Sequence, residues 1–264
     1  MGKPFLFLCA VALLSACTSY SVMVENSPAA LSMQSMQAQW ESGTFTKDSH
    51  GGEIVVIGVS SRLVRRTDEI LAAKNDAARK IAMFYGISGT VESFHRAGAG
   101  FFDFIAESRI NIESAITDYT RLIERLTFDP EYDVLEFSGG TLIRFTYSTE
   151  ASPLTFTNTL DANGRPTWID HRNLPSIDGY MAAVGFSQNQ VWLRDTVMRS
   201  TQAAAASLLK MTGTRTETET VVLNGQAVTY IHSRSEGRFR NFRIIGLWID
   251  PGNMSVYTLG IARL

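Results

Sequence analysis

The sequence predicts an α+β protein built from two repeated units, each an amphipathic helix packed on a mainly antiparallel sheet. Three observations lead there. Sliding the chain on itself by 127 positions gives an ungapped match with eight identities in the 37-residue window 57–93. Chance gives about two or three at average residue frequencies. Each copy opens with a short apolar run and passes into a helical pattern. After each helix the hydrophobic period changes to two.

The elements follow in order. Residues 53–60 (EIVVIGVS) are apolar and rich in β-branched side chains, the mark of a buried strand, and residues 180–187 (YMAAVGFS) are the counterpart. Gly58, Ser60, Val64 and Asp68 fall on Gly185, Ser187, Val191 and Asp195. A helix should start at Thr67-Asp68-Glu69, an N-cap residue with two acids at the positive end of the helix dipole. Ile70, Leu71, Ala77, Ala78, Ile81 and Tyr85 form its core stripe, and Gly86 is placed to end it in a left-handed turn. In the second copy Asp195 starts the helix and Gly213 stops it. The shared pairs Ala77-Ala78 and Ala204-Ala205 suggest that helix and sheet approach closely, because larger side chains would hold them apart.

Residues 216–220 (TETET) alternate as a half-exposed strand does. Residues 221–223, Asn224-Gly225 and 227–231 read as strand, type I′ turn, strand, and residues 239–264 as a closing hairpin around Pro251-Gly252-Asn253. In the first copy residues 123–128, 134–137 and 142–147 should fill that role. Residues 101–122 suit either a helix or a strand. The domain plan is therefore 1–16 signal peptide, 17–52 tether, 53–148 first unit, 149–179 linker with a small hairpin, and 180–264 second unit.

The N-terminus sets the compartment. Met1-Gly2-Lys3 is a short positive start, and the apolar run from Phe5 to Leu14 is too short to span a bilayer, which takes about 20 residues. It ends Leu14-Ser15-Ala16-Cys17, which resembles the lipobox of bacterial lipoproteins at all four positions. The resemblance implies diacylglyceryl transfer to Cys17, cleavage after Ala16, and acylation of the new amine. Thr18, rather than Asp, follows the cysteine, which by resemblance to sorted lipoproteins directs the protein to the outer membrane. Cys9, the other of two cysteines, lies in the segment to be removed. The mature chain then has no internal disulfide and relies on packing. As a flexible coil the tether spans about 33 Å. Met33, Met36 and Trp40 share one side if residues 29–40 are helical, which suggests docking onto the body.

Taken together, the lipobox, the polar tether, a strand ending in Gly-x-Ser, the Ala-rich helix of residues 73–82 (AKNDAARKIA), the alternating strand and the ending of residues 256–264 (VYTLGIARL) resemble the Lpp-twenty family of bacterial lipoproteins. That family's folded unit is similar to the N-terminal domain of flagellar assembly protein T. The resemblance implies a helix on an antiparallel sheet and brings no catalytic residues. This chain departs from single-unit members by duplication and by an enlarged first unit around residues 94–140.

The composition excludes several classes. Across 264 residues, 24 Lys+Arg against 26 Asp+Glu give a net charge of −2, so a general electrostatic grip on nucleic acid is not expected. His50, His95, His171 and His232 stand singly, without metal-ligand spacing. Ser60 and Ser187 lack the second glycine of a nucleophile elbow and should bond local backbone. Ala97-Gly98-Ala99-Gly100 lacks the phosphate-loop lysine. Asp68 and Asp195 read as helix-start acids. No cofactor and no enzymatic activity are expected.

One stretch stands out, residues 234–243 (RSEGRFRNFR). Arg238 and Arg240 should share a strand face with Phe239 opposite, and with Arg243 they form a candidate strip for an anionic or protein partner. Pairing with Glu217 and Glu219 would neutralise it. The expected function is thus a non-enzymatic, membrane-anchored envelope protein with a structural or partner-binding role. Its partners would be the membrane, an envelope protein or glycolipid, and a second copy through sheet edges. The rival is a small-ligand or glycolipid module using the inter-unit cleft or this strip.

Overall fold

The computed structural model describes residues 52–98, 107–137, 139–150, 154, 156–162, 165–223, 226–250 and 252–263. The lipobox with Cys17, Met33, Met36, Trp40, His50, residues 99–106, Asn163-Gly164, Asn224-Gly225 and Pro251 lie outside the described residues.

In chain order the first half holds β1 (Glu53–Ser61), α1 (Arg66–Tyr85), β2 (Ile87–Gly98), β3 (Glu107–Ser114), α2 (Thr120–Glu124), β4 (Leu126–Thr127), β5 (Val134–Phe137) and β6 (Gly140–Ser148). Two 3-10 turns, Thr167–Ile169 and His171–Asn173, lead to β7 (Met181–Ser187), α3 (Leu193–Thr212), β8 (Thr214–Leu223), β9 (Gln226–Ile249) and β10 (Val256–Arg263). The fold is α+β with two antiparallel sheets. One runs β1-β6-β4, with β5 also on β6. The other runs β3-β2-β9-β10-β7, with β8 also on β9.

β1 is buried almost throughout, so it has no polar alternation, and it pairs with β6 from Glu53↔Ser148 to Ser61↔Gly140. α1 lies on it. Ala73, Ala77, Ala78 and Ala82 are fully buried there, beside Ile81. The approach is closest at Gly58, where an added Cβ would run into the Ala73 carbonyl and sit 2.8 Å from the Phe145 ring. α3 meets β7 in the same manner: at Gly185 a Cβ would collide with the Ser200 carbonyl and lie 2.9 Å from the Ala204 Cβ. Only glycine leaves room for a helix backbone at that distance.

Polar groups close the remaining gaps. The Val59 N–H donates to Asp76 Oδ2 at 3.0 Å, while Lys80 Nζ donates to the Ile57 carbonyl and to Asp76, both at 2.6 Å. This buried pair occupies the edge of β1 opposite β6 and blunts it as a docking strand. Glu69, 2 % exposed, accepts from the Leu63 N–H at 2.9 Å, the Thr141 hydroxyl at 2.8 Å and Arg66 at 2.7 Å. It ties the β1–α1 loop to β6.

Several sequence expectations need correction. α1 begins at Arg66 behind an extended Arg65 that makes no side-chain cap, so Thr67 is not the N-cap. The reason is local: Glu69 serves the preceding loop, and Arg65 accepts the first-turn N–H groups through its carbonyl. Leu71 and Tyr85 point outward, with 53 % and 37 % exposure, because β1 is narrow and the alanines fill the contact. Gly86 has φ 164°, an extended conformation, and Gly213 has φ 142° and ψ 138°; neither is a left-handed cap, since the chain runs straight into β2 or β8. Residues 123–128 are not one strand: Ile123 belongs to α2 and only Leu126–Thr127 pair with β6.

The halves are fused rather than strung on a linker. β2 pairs with β9 along twelve positions, from Ile87↔Phe239 to Gly98↔Val228. Residues before β7 also belong to the second half. Trp168 and Ile169 are buried against Val184, Ile245, Leu259 and Ile261, and Leu160↔Pro166 is an isolated antiparallel bridge. Among the described residues no helix is long and apolar enough to cross a membrane.

Candidate functional site

A cleft of about 580 Å³ opens where the halves meet. Its lining is Phe84 and Tyr85 from the end of α1, Arg125 from the cap of α2, Thr149 and Glu150 after β6, Asn241 and Arg243 from β9, and Arg263 at the end of β10. Three of these residues are arginines and one is an acid.

The local backbone explains why Arg243 faces inward. β9 alternates through Arg238, Phe239 and Arg240, exposed, buried, exposed. At Asn241 φ turns to +56°, and the pairing with β10 slips between Arg240↔Arg263 and Arg243↔Ile261. A bulge adds a residue and breaks the two-residue period. Phe242 and Arg243 are consequently both buried, at 1 % and 7 % exposure. Arg243, grouped in the sequence with Arg238 and Arg240 as a candidate contact, is buried in the cleft wall, whereas those two are exposed.

Aromatic rings hold the guanidinium groups. Arg243 lies 5.3 Å from the Phe84 ring centroid and 5.9 Å from that of Tyr180, and its Nη2 donates to the Tyr180 hydroxyl at 3.4 Å. Arg263 sits 4.5 Å from the other side chain's centre in that pairing, the Tyr180 ring, and its Nε is buried without a hydrogen-bond acceptor. Arg125 stacks 4.6 Å from the Tyr147 centroid and donates to the Ser148 carbonyl at 2.6 Å. Stacking fixes the faces of the guanidinium planes.

Burial pulls the Arg243 guanidinium below its ordinary pKa, Tyr180 opposes this, and repulsion from Arg263 adds to the lowering. An arginine keeps its proton at neutral pH, so Arg243 remains a buried cation. Tyr147 is pushed up to about 12 by burial and by its contact with the Tyr85 hydroxyl 3.0 Å away, so it contributes no charge. α1 has no basic residue in its last turn, and its partial negative pole offsets part of the positive charge.

The exposed strip is different. Arg238 and Arg240 lie on the face opposite Phe239, as the alternation predicts. They do not face Glu217 and Glu219, which pair with His232 and Tyr230. β8 ends its pairing at Thr214↔Ser235, so Arg238 and Arg240 run past it. Glu217 instead pairs with Arg215 at 3.1 Å, and Arg234 with Glu92 and Glu236, both at 3.4 Å. Arg240 is the register partner of Arg263, so the strip reaches the cleft wall.

Other candidates have defined contacts where described. Ser60 and Ser187 hydroxyls donate to the carbonyls of Ser61 and Gln188, at 2.8 and 3.0 Å. Asp195 pairs with Arg194 at 3.3 Å. His232 stacks on Phe94 with centroids 4.5 Å apart. Among the described residues no three His, Cys, Asp or Glu side chains converge to hold a metal. Sequence reasoning missed Arg125, Arg263 and Tyr180, which come from separated segments and carry no motif. No family model, curated protein or solved structure matches the chain.

Proposed function

We propose that this chain is a lipid-anchored envelope protein of the Lpp-twenty type, attached to the outer membrane through Cys17, and that its work is to hold an anionic partner rather than to make or break bonds. The anchor rests on the lipobox Leu14-Ser15-Ala16-Cys17. Two or three acyl chains give durable attachment where one is marginal.

The same proposal takes the body as a duplicated unit. The shift of 127 that aligns the sequence also carries α1, Arg66–Tyr85, onto α3, Leu193–Thr212. It carries the Gly58 contact onto that of Gly185 and the Ser60 hydroxyl bond onto that of Ser187. Even the loop tie repeats: Leu63 N–H to Glu69 becomes Gln190 N–H to the Thr196 hydroxyl, at 3.0 Å. On this reading the cleft lies between the units.

The observation that carries the binding role is the convergence of Arg125, Arg243 and Arg263 on one cleft, where Glu150 is the one carboxylate among the described lining residues. The test is a thermal-shift titration of the full chain in a non-ionic detergent with sodium acetate, sulfate and phosphate at constant ionic strength. Saturable stabilisation by at least one anion, weakened in Arg263→Gln, is expected. No saturable shift with any anion refutes the binding role. Metabolic labelling with a radioactive fatty acid tests the anchor: label retained by Cys17→Ser would refute it.

A further inference from the structure

We infer that the open edge of β8 is where two copies of this chain join their sheets, antiparallel, with the twofold axis at Glu217. This is independent of the anion-binding reading. β8 runs Thr214–Leu223 against β9 without a register shift, and among the described residues no strand pairs with its other side. Every residue from Thr214 to Thr220 is exposed, so none of the described helices or loops overhangs this edge. A row of unpaired backbone groups is a template for another strand unless something blunts it. Two other edges are blunted: Asp76 and Lys80 occupy that of β1, and Ala183, Val184 and Gly185 of β7 are buried. β8 carries no proline, lysine or bulge.

Charge selects a second copy as the occupant. Arg215, Glu217 and Glu219 share one face of β8, and Thr214, Thr216, Thr218 and Thr220 share the other. On the β9 side Arg215 faces Arg234, a like charge already held by Glu92 and Glu236, both at 3.4 Å. Glu219 faces Tyr230 and has no ion pair among the described residues. Antiparallel pairing about Glu217 sets Arg215 of each copy opposite Glu219 of the other. It also sets Thr214 opposite Thr220 and Thr216 opposite Thr218. That extends the hydroxyl contacts β8 already makes with β9 at Thr214–Ser235, Thr216–Ser233 and Thr220–Thr229. The opposing contact is Glu217 against its own copy, and each Glu217 already holds Arg215 of its own chain at 3.1 Å. An axis at Thr218 would instead set Glu217 against Glu219 on both sides, and one at Thr216 would pair only Thr214 to Thr218. The register at Glu217 also carries Val222, 67 % exposed, past the start of the other β8 to the end of α3, where Met211 is 53 % exposed. Covering both favours association. A twofold contact is closed, so it yields a dimer and not a fibre.

The experiment is sedimentation velocity of the full chain in a density-matched non-ionic detergent, with cysteine cross-linking in membranes. A concentration-dependent dimer is expected. Glu219→Arg should weaken it about tenfold or more, and combining Arg215→Glu with Glu219→Arg, which exchanges the signs, should recover most of the loss. Glu217→Gln should tighten it. Glu217→Cys should cross-link to its own copy under mild oxidation, because directly opposed residues lie within disulfide reach. Arg238→Cys, on β9 away from the edge, should not. An unchanged circular dichroism spectrum checks that each variant folds. A chain that stays monomeric at about 100 μM would overturn the second copy as occupant and leave the edge to a foreign strand. A dimer that persists in Glu219→Arg and gives no Glu217→Cys cross-link would overturn β8 as its interface. A loss that the sign exchange does not recover would overturn the register, and equal cross-linking at Arg238→Cys would mark the contact as collisional and overturn the pairing.

Discussion

Gly58→Ala and Gly185→Ala test the closest helix–strand contacts in the molecule. At each position the new methyl group meets a backbone carbonyl of the overlying helix, Ala73 or Ser200, which no rotamer change can move. At Gly58 the Phe145 ring, 2.8 Å away, blocks a second direction. Overpacking a dense core costs about 1–3 kcal/mol when side chains can give; here the helix itself must shift, so each change should cost about 3 kcal/mol or more. For a body of this size that lowers the melting temperature by about 6–12 °C. Gly86→Ala is the control. Its φ of 164° suits any residue, and the new Cβ would sit 3.2 Å from the Cβ of Ala115, an exposed residue in the bend after β3 that has to give by only a few tenths of an ångström. It should change stability by less than about 1 kcal/mol, partly offset by reduced freedom of the unfolded chain. Ala73→Gly should not rescue Gly58→Ala, because the obstruction is a carbonyl. If both test variants melt within 2–3 °C of Gly86→Ala, by roughly the same conversion, the close-approach argument is wrong.

Three further outcomes follow from buried polar and aromatic groups. Glu69→Gln should lose about 2–3 kcal/mol at pH 7, because a buried charge-assisted network is broken and Arg66 keeps only Glu136 as an ionic partner; chemical denaturation measures it. Burial opposes ionisation of Glu69, yet Leu63, Thr141, Arg66 and Arg62 together hold its carboxyl below the ordinary value of 4.5. Its stabilisation is therefore complete above that value and lost as pH falls through the lower folded value, so the wild type should lose more stability between pH 5 and pH 3, roughly, than Glu69→Gln does. Asp76→Ala should cost about 3–5 kcal/mol by leaving Lys80 buried without its carboxylate, whereas Asp76→Leu with Lys80→Met should cost less than Asp76→Ala; urea titration of both decides it. Trp168→Ala should cost about 3–5 kcal/mol and broaden methyl resonances of Val184, Ile245 and Leu259 in NMR spectra, since Trp168 is 2 % exposed against them.

Legibility followed sequence distance. β1, β7, α1 and α3 are written in short windows: apolar runs ending in Gly-x-Ser, then alanines at helical spacing. The β8–β9 hairpin was equally readable from its alternation and Asn224-Gly225. What the windows could not hold was partner choice. The residues opposite Arg238 depend on where β8 stops, and β2 finds β9 across more than a hundred residues of chain. Arg243 was grouped with the exposed Arg238 and Arg240, and nothing in the sequence marks the bulge at Asn241 that changes the period between them. The cleft was hardest. Its arginines come from α2, β9 and β10, and nothing near Arg125 or Arg263 in the sequence distinguishes them from solvated side chains. Glu69 misled for a related reason: an acid in a first turn usually serves the helix dipole, but this one is buried and serves the loop before it.

Under the proposed duplication, scaffold and site separate cleanly. The positions that repeat are the ones a close helix–strand contact demands: Gly58 with Gly185, Ala77 with Ala204, Ser60 with Ser187. Charged devices do not repeat. Glu69 becomes Thr196, and Asp76 and Lys80 become Ala203 and Ser207, so the edge of β1 is blocked by an ion pair while that of β7 lacks those side chains. The sheet registers Glu53↔Ser148 and Ala262↔Met181 make the ends of β6 and β10 equivalent, and both ends line the cleft. At that shared place the first half offers Thr149 and Glu150, and the second offers Arg263. A duplicated frame thus brings two strand ends together by symmetry, and divergence at those ends sets the charge of the space between them. Because β2 and β3 of the first half join the sheet of the second through the β2–β9 pairing, the arginines are held apart without a ligand. An anion that bridges Arg125 and Arg263 would then bind a preformed site, with little ordering cost charged against its affinity.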